Sequence, residues 1–436
     1  MKPCLYMLGG INYKNGVIST CPRQGDQLVF QKDAYLPSDV FNHENFKKAR
    51  EQLYNDIFPK GCKLCEEMED IGAQSMRKDF ILNKDNNFYR PFVKGDEIDY
   101  TQGHYDEQGL MKAYNPETHE TAKEGLRHIE IRFSNACNFA CLHCSKVFSS
   151  GWISKLKKYE PDKEDKMYDL KQLLGTEHRH GDDDDNEMGI TLDQAMEICD
   201  DLIENFPNLL WIDFAGGELL YQKQFFPTLK RLAEHPNAKR MKISFHSNFN
   251  ANFNVEELSE YLQPFNQSAI LISVDAGRTF YSYFRHGGSW DQLKKNIQDY
   301  RKINQKTFLT TTCTASIYQM LDIYDVMDSF LDLGCEFDAS IVQSPAYLDP
   351  SLIMLEFEKE TLWDIERTRK LLDKYKILNA PYWFNYIVKY IEGKEPNHRD
   401  YMRFLHYRKK SDMIWKQNFN DYFHHYQIVD DELVRA

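Results

Sequence analysis

The segment Cys137-Asn-Phe-Ala-Cys141-Leu-His-Cys144 carries three thiols in the spacing C-x3-C-x2-C, directly after a run that is predicted to be a strand. Three thiolates on a loop that leaves a strand can hold three irons of a cubane [4Fe-4S] cluster and leave the fourth iron open. Structural zinc, with His143 as fourth ligand, is the competing interpretation, although its position beside a ligand strains that geometry. Ordinary buried cysteines are the third alternative.

A second set of thiols, formed by Cys4, Cys21, Cys62 and Cys65, lies in the first part of the chain. Four thiolates that converge from separate segments satisfy either a closed Fe-S cluster or a structural zinc site. Unpaired, inert cysteines are the remaining alternative. The spacing C-x2-C supplies one pair of ligands, and the first two cysteines supply the other.

The composition excludes several classes of protein. The chain has 436 residues, of which 42% are hydrophobic and 28% charged, as in folded globular proteins of two to three domains. A net charge of -13 argues against nucleic acid as the partner. No apolar run approaches the roughly 18 residues that span a bilayer, and we expect a cytoplasmic protein without membrane segments. Ten cysteines are too few for a disulfide scaffold, which fits a reducing compartment.

Strand-like runs alternate with amphipathic helical stretches in the middle of the chain. This alternation predicts βα units, a parallel sheet and an α/β fold, and six strands suggest a partial (β/α)6 barrel of the TIM type. Both the cysteine motif and the polar motifs below fall at the carboxyl ends of these strands, where such sheets place their sites. The predicted strands are His128–Phe133, Leu210–Phe214, Arg240–Phe245, Ser268–Val274, Phe308–Ser316 and Glu336–Val342.

We divide the chain into four parts. Residues 1–95 are predicted to form a small N-terminal Fe-S-binding domain, with a helix over 42–54, and the polar stretch 96–125 a linker or lid. The strands occupy 126–350, and 351–436 form a helical, aromatic C-terminal extension. The insertion 160–189 contains four consecutive aspartates, which repel one another and predict a solvated loop; a divalent-metal site is the alternative.

The motifs of residues 126–345 resemble those of the radical S-adenosylmethionine (SAM) superfamily, whose C-x3-C-x2-C thiolates bind a [4Fe-4S] cluster that chelates SAM. Ala215-Gly216-Gly217-Glu218 is similar to the GGE motif that grips the SAM amino group, with Leu219 in place of the usual Pro. Ser247-Asn248 resembles the strand end that contacts the SAM ribose.

The segment Ile272–Gly277 is similar to the S-x-D-G segment of the same family with one residue inserted, and Arg285 follows Ser273 by twelve residues. The resemblance implies that Ser273 and Arg285 hold the SAM carboxylate, since a guanidinium fork and a hydroxyl suit a carboxylate. The alternatives are a surface ion pair for Arg285 and strand-end turn chemistry for Ser273 and Asp275.

The N-terminal cysteines lie in a pattern that resembles the SPASM/twitch module of radical SAM enzymes. The matching features are Gly16 before Cys21, Phe41-Asn42, Arg50 and the Gly61-Cys62-x2-Cys65 segment. The resemblance implies one auxiliary [4Fe-4S] cluster, which suits an oxidative reaction by accepting an electron. The module usually follows the barrel, and here it precedes it.

The resemblance implies reductive cleavage of SAM to a 5′-deoxyadenosyl radical that abstracts hydrogen from a substrate, with an external one-electron donor such as flavodoxin or ferredoxin. We expect a substrate that is a peptide or contains an amino acid. Alternatives are dehydrogenation or epimerisation of a small sugar-, aminoglycoside- or nucleoside-type molecule, and, outside enzymes, a zinc- or Fe-S-stabilised binding protein. Candidate residues around the substrate are Asp213, His246 and Gln343; Cys313 and Cys335 are candidate hydrogen-atom donors, and Cys199 is predicted to be core.

Overall fold

The computed structural model describes residues 4–14, 16–22, 26–70, 75, 77, 113–156, 189–342, 344–374 and 380–436. Asn15, Gln343, most of the insertion 160–189 and residues 96–112 of the predicted linker lie outside these ranges. The strands are β1 (Gly10–Lys14), β2 (Val17–Ser19), β3 (Val29–Phe30), β4 (His128–Arg132), β5 (Ala140–Cys141), β6 (Trp211–Ala215), β7 (Lys242–Ser247), β8 (Gln267–Ser273), β9 (Arg285–His286), β10 (Phe308–Ala315), β11 (Glu336–Ile341), β12 (Tyr426–Val429) and β13 (Glu432–Arg435).

A nine-stranded sheet in the order β11-β10-β8-β7-β6-β4-β1-β2-β3 organises the fold. The pairs from β11 to β1 are all parallel, and β1, β2 and β3 pair antiparallel. Strands β4, β6, β7, β8, β10 and β11 are the six that the sequence predicts, within two residues at each end, and consecutive strands lie side by side. The prediction of an α/β fold with a parallel sheet is confirmed.

Helices cover one face of this sheet. Alternation along each strand places apolar residues such as Ile212, Phe214, Ile243 and Phe245 in the main hydrophobic core together with helix side chains. The helices are α1 (Leu5–Gly9), α2 (Pro37–Val40), α3 (Glu44–Tyr54), α4 (Lys63–Asp70), α5 (Ser150–Leu156), α6 (Leu192–Asn205), α7 (Phe225–Leu232), α8 (Val255–Leu262), α9 (Tyr281–Phe284), α10 (Trp290–Ile303), α11 (Ile317–Met320), α12 (Ile323–Leu333), α13 (Met354–Lys374), α14 (Ala380–Gly393) and α15 (His398–Trp415).

The opposite face of the sheet, which we call the polar face, carries the alternate residues of the same strands. On β4 and β6 these include Glu130, Arg132 and Asp213, and on β10 and β11 they include Thr312 and Asp338. The polar face is therefore able to line a chamber for a hydrophilic molecule, whereas the helix-covered face is closed by apolar packing.

The N-terminal segment joins the same sheet and does not form a sheet of its own. Strand β1 pairs in parallel with β4, with Gly10 opposite His128. Residues 113–125 of the predicted linker pack against the N-terminal part, since the Thr121 amide donates to Asn42 Oδ1 at 3.0 Å. The sheet thus continues from the predicted N-terminal domain into the strands of residues 126–350.

The C-terminal extension is mostly helical, as the sequence predicts. Its three helices, α13 to α15, are followed by a hairpin of β12 and β13 that the sequence analysis did not predict. Helix α14 packs against β11, the edge strand of the parallel sheet. Within the described ranges, we find no helix that combines the length and the apolar character needed to cross a membrane.

Candidate functional site

The cysteine loop, residues 133–149, leaves the carboxyl end of β4 and carries Cys137, Cys141 and Cys144. Burial raises the pKa of the Cys144 thiol, and repulsion from the Cys141 and Cys137 thiols adds to the rise. The three thiols therefore lie within electrostatic reach of one another. Burial raises the pKa of Cys141 to about 12, with Arg285 acting in the opposite sense and Cys137 adding to the rise. Thiols in this setting need a cationic partner, such as a metal cluster, to be held as thiolates.

The predicted glycine motif approaches the backbone of this loop closely. The Glu218 amide donates to the Ala136 carbonyl at 2.9 Å. Gly217 has a φ of +56°, and a Cβ atom at this position would lie 2.3 Å from the same carbonyl oxygen. Only glycine satisfies both conditions, so the second glycine sets the distance between the end of β6 and the cysteine loop.

Glu218, Ser247 and Asn248, which the sequence analysis grouped as SAM contacts, lie together. The fully buried Glu218 carboxylate accepts hydrogen bonds from Ser247 Oγ at 2.7 Å, the Asn248 amide at 2.5 Å and the Leu220 amide at 3.2 Å. Burial raises its pKa, and these bonds act in the opposite sense. Asn248 Nδ2 also donates to Asn138 Oδ1 at 2.8 Å, which joins the end of β7 to the residue after Cys137.

Asp275 and Arg285 form a second group on the other side of the cysteine loop. Their side chains make a buried ion pair, and Asp275 Oδ1 accepts the Thr314 amide at 2.7 Å. Asp275 has a φ of +56°, in the left-handed region that few side chains adopt. Ser273 ends β8, and within the described residues no hydrogen bond joins its side chain to Asp275 or Arg285. The structure therefore groups Arg285 with Asp275 in a buried ion pair, which differs from the surface ion pair of the alternative interpretation.

The pairing of β5 with β9 places Arg285 opposite Cys141. Burial acts to lower the pKa of Arg285, but the charges of Cys141 and Asp275 outweigh it and raise this pKa above its ordinary value, so the guanidinium is held charged beside the cysteine loop. Its Nε atom is buried and has no hydrogen-bond partner among the described residues. An unsatisfied guanidinium donor beside the cysteine loop is able to receive an anionic group of a ligand.

The sequence does not predict the contacts that His143 and Gln222 make in this site. His143 Nε2 lies 3.6 Å from Asp275 Oδ2, and its ring stacks on Phe284; burial lowers its pKa, so the ring is neutral near pH 7. Gln222 Nε2 donates to the Ala136 and Gly216 carbonyls at 3.1 and 3.0 Å, which ties the glycine motif to the loop. A glutamine four residues after Glu218 carries no distinctive signal in a single sequence.

The N-terminal cysteines also come together in space. Burial raises the pKa of the Cys62 thiol, and Cys4, Cys21 and Cys65 add to the rise, so the other three thiols all lie within electrostatic reach of Cys62. Burial raises the pKa of Cys4 to about 11, partly offset by hydrogen bonds from the backbone of Met7 and Tyr6. Apolar contacts with Met7, Ala49 and Leu53 form a small cluster around them, separate from the main core.

The two cysteine sets lie at opposite ends of the sheet. Cys4 precedes α1, which leads into the amino end of β1, whereas the cysteine loop follows the carboxyl end of β4. Among the residues that the structure describes, no three His, Cys, Asp or Glu side chains are arranged to ligate a single metal ion. The thiols of a cubane cluster each bind a different iron and need no such convergence.

The remaining cysteines are buried and belong to neither set. Cys199 packs in the core on α6, as predicted. Cys313 lies on the helix-covered face of β10, between Thr312 and Thr314 of the polar face, and Cys335 accepts from Arg301 Nη2 at 3.2 Å. This placement does not favour hydrogen-atom transfer from Cys313 or Cys335 to a molecule on the polar face.

The polar face carries ionisable groups with shifted pKa values. Ser244 Oγ accepts from Trp211 Nε1 at 2.7 Å and donates to Asp213 Oδ1 at 2.5 Å. Burial, with repulsion from Glu130, raises the pKa of Asp213 to about 7. His246 is exposed on this face, yet the enclosing protein displaces enough water to lower its pKa. The Asp213 carboxyl group therefore changes charge near neutral pH, whereas the His246 ring is neutral there.

No family model matches the sequence, and no curated protein matches it. The fold is similar to solved structures described as native anSMEcpe with bound AdoMet (12% identity, TM-score 0.39, 57% of this chain and 61% of that chain) and Streptococcus suis SuiB bound to S-adenosylmethionine (11%, 0.34, 76% and 62%). SuiB bound to precursor peptide SuiA aligns at 12% identity with a TM-score of 0.33, over 77% and 60%. The chain thus spans about three-fifths of the length of these proteins.

Proposed function

We propose that the protein is a radical SAM enzyme that binds a [4Fe-4S] cluster through Cys137, Cys141 and Cys144. The observation that carries the proposal is the cysteine loop itself: three clustered thiols at the carboxyl end of β4, in C-x3-C-x2-C spacing. A SAM-chelating cluster supplies one-electron cleavage of SAM to methionine and a 5′-deoxyadenosyl radical. In this proposal the parallel sheet is a partial (β/α)6 barrel with the polar face inside.

The donors around the loop fit SAM. The charged Arg285, with its unsatisfied Nε atom, is suited to the SAM carboxylate, and Asp275 orients the guanidinium through their ion pair. Gly216 and Gly217 bring the backbone of the β6 end against the loop without side chains in the way. Ser247 and Asn248 lie beside Glu218, so one side of the loop is suited to the amine and ribose.

We further propose that Cys4, Cys21, Cys62 and Cys65 bind an auxiliary [4Fe-4S] cluster, with structural zinc as the alternative occupant. Four buried or half-buried thiols near one another are suited to a closed, four-thiolate cluster, whereas zinc would need them to converge on a single ion, which no three such side chains do among the described residues. An auxiliary cluster suits an oxidative outcome. The first electron comes from an external donor such as flavodoxin or ferredoxin.

The proposed substrate is a peptide or a molecule that contains an amino acid. It would reach the polar face, where Asp213 and His246 lie below the carboxyl ends of β6 and β7. The residues of this chain then exclude bulk water from the radical and are able to hold or move a proton at the Asp213 carboxyl group.

The test is iron and sulfide per chain after anaerobic reconstitution, together with 5′-deoxyadenosine formed from SAM under reducing conditions. About eight irons in the wild type, falling to about four with loss of 5′-deoxyadenosine in the Cys137/Cys141/Cys144→Ala variant, are expected for a cluster in each set. A Cys199→Ala variant is the matched control, since Cys199 is buried on α6. A wild-type protein that holds only zinc and forms no 5′-deoxyadenosine would contradict the proposal.

A further inference from the structure

Two side chains from outside the cysteine loop hold consecutive carbonyl groups of that loop. Trp152 Nε1, on α5, donates to the Cys141 carbonyl at 2.9 Å, and Tyr407 Oη, on α15, donates to the Leu142 carbonyl at 2.5 Å. Both side chains are fully buried. Neither residue belongs to a motif in the sequence, and Tyr407 lies in the C-terminal extension.

The same two residues of the loop are also held by the last residue of α9 and by β9. The Leu142 amide donates to the Phe284 carbonyl at 2.9 Å, and Cys141 pairs with Arg285 across the β5–β9 ladder. The backbone between Cys141 and Leu142 therefore has partners from several elements. This peptide group lies between Cys141 and Cys144 in the chain, so its rotation would turn their two thiols away from each other.

The end of α15 joins the two elements that hold the loop. The Trp415 ring stacks on His286 of β9, with centroids 3.9 Å apart, and contacts Trp152 of α5 edge-on at 5.8 Å. Gln417 Nε2 lies 3.2 Å from His286 Nε2. Through these contacts the C-terminal extension fixes α5 and β9 relative to each other, and both in turn hold Cys141.

The Tyr407 hydroxyl binds the Leu142 carbonyl within electrostatic reach of the Cys144 and Cys141 thiols. Burial raises its pKa, and the thiols of Cys144 and Cys141 add to the rise. A neutral phenol at this point excludes water from the loop on the side of α15. It also places one O–H donor on the backbone between Cys141 and Cys144, and hydrogen bonds around the ligands of an iron-sulfur cluster tune its properties.

We propose that Tyr407 and Trp152 are positioning residues of the cofactor site, and that the C-terminal extension completes this site by fixing the peptide groups of Cys141 and Leu142. The inference rests on the proposed function for its cofactor. The contacts that orient the loop are made by protein groups alone, so they can be tested without the cofactor.

The first experiment measures amide hydrogen exchange in the cysteine loop of the full-length protein without iron. Tyr407→Phe keeps the ring and removes one hydroxyl. Tyr300→Phe on α10 is the matched control, since Tyr300 is equally buried and its hydroxyl bonds Thr307 at 2.9 Å. We expect about tenfold faster exchange in residues 138–149 for Tyr407→Phe alone, because one buried hydrogen bond is lost there. Equal exchange in both variants would overturn the positioning role.

The second experiment measures the reconstituted proteins. We expect the loop cluster of Tyr407→Phe to lose iron to a chelator about tenfold faster than that of Tyr300→Phe, with a changed EPR spectrum of the reduced protein. Trp152→Phe, which keeps a ring but loses its donor, is expected to behave like Tyr407→Phe and serves if Tyr407→Phe does not fold. Unchanged iron loss and EPR spectra in both loop variants would overturn the inference. A wild type without iron at this loop would instead refute the proposed function and leave the exchange result valid.

Discussion

The two cysteine sets lie at opposite ends of two neighbouring parallel strands, β1 and β4, and are held in different ways. The cysteine loop is fixed by groups from β6, β7, β9, α5 and α15, so that much of the chain converges on Cys137, Cys141 and Cys144. The N-terminal set is surrounded by a small apolar cluster of its own. From this difference among the described residues we expect the first site to be preformed by the fold and the second to depend more on its ligand for order.

The largest effect is expected from the buried ion pair beside the cysteine loop. Arg285→Met leaves the Asp275 carboxylate buried without its partner, which costs about 3–5 kcal/mol of the free energy of unfolding. Urea unfolding measures this cost. Arg278→Met is the control, because Arg278 is partly exposed and pairs with Asp328 at the surface, where a pair contributes less than about 1 kcal/mol. Equal losses for both variants would mean that the loop is not braced by this pair.

The second prediction tests the dependence of the N-terminal set on its ligand. Cys62→Ala is expected to speed amide exchange in residues 4–21 and 60–70 about a hundredfold, or about 2.7 kcal/mol, because bound metal stabilises local structure. Exchange in the cysteine loop is expected to stay unchanged. Cys199→Ala controls for loss of a buried thiol elsewhere. Slow exchange in the N-terminal residues of Cys62→Ala would show that this region is as preformed as the loop.

The third prediction separates close approach from backbone strain. Gly217 and Gly334 both have positive φ, but a Cβ atom at Gly334 would meet only Arg301 Nη1 at 3.4 Å. Both alanine variants are expected to lose about 1 kcal/mol from strain. Only Gly217→Ala is expected to push on the Ala136 carbonyl and to lower iron bound by the loop, measured after reconstitution. An unchanged iron content in Gly217→Ala would show that the close approach of the glycine motif is not needed for the loop to bind iron.

The last effect is a gradual dependence of stability on pH, spread over several pH units. Because burial raises the pKa of Asp213 from its ordinary value to about 7, the folded state binds a proton that the unfolded state releases above about pH 4. Stability from this group is therefore present at low pH and declines as the pH rises from about 4 to 7, by at most about 1.4 kcal/mol per pH unit. Asp213→Asn keeps an acceptor for Ser244 and is expected to flatten the decline. If Asp213→Asn leaves the dependence of stability on pH unchanged, a group other than Asp213 binds the proton.

The strands and the cysteine loop could be predicted because their signals are local. Strand runs and the thiol spacing lie within a few residues of sequence, and the structure gives the strands almost the predicted ends. The grouping of Glu218 with Ser247 and Asn248 followed from the rule that strand ends meet at one edge of a parallel sheet.

The partners that span long separations could not be predicted. Tyr407 is one of many aromatic residues in the C-terminal extension, and nothing in its neighbourhood distinguishes it from packing residues. The pairing of Arg285 with Asp275 was open, because a guanidinium suits an internal carboxylate as well as that of a ligand. The position of β1 beside β4 depends on the register between strands far apart in the chain, which a local pattern does not contain.

The pairing of β1 with β4 has a consequence for how the chain acquires its fold. Strand β1 is synthesised before its parallel neighbour β4, which begins at His128. The backbone donors and acceptors of β1 on that edge therefore stay unpaired until the intervening residues have been synthesised. Such a long-range pairing carries a large loop-closure cost and forms late. Until then β4 is an open edge of the growing sheet, able to pair with strands of other chains. Removal of the first twenty residues would make that edge permanent, and aggregation of the shortened chain is the expected result.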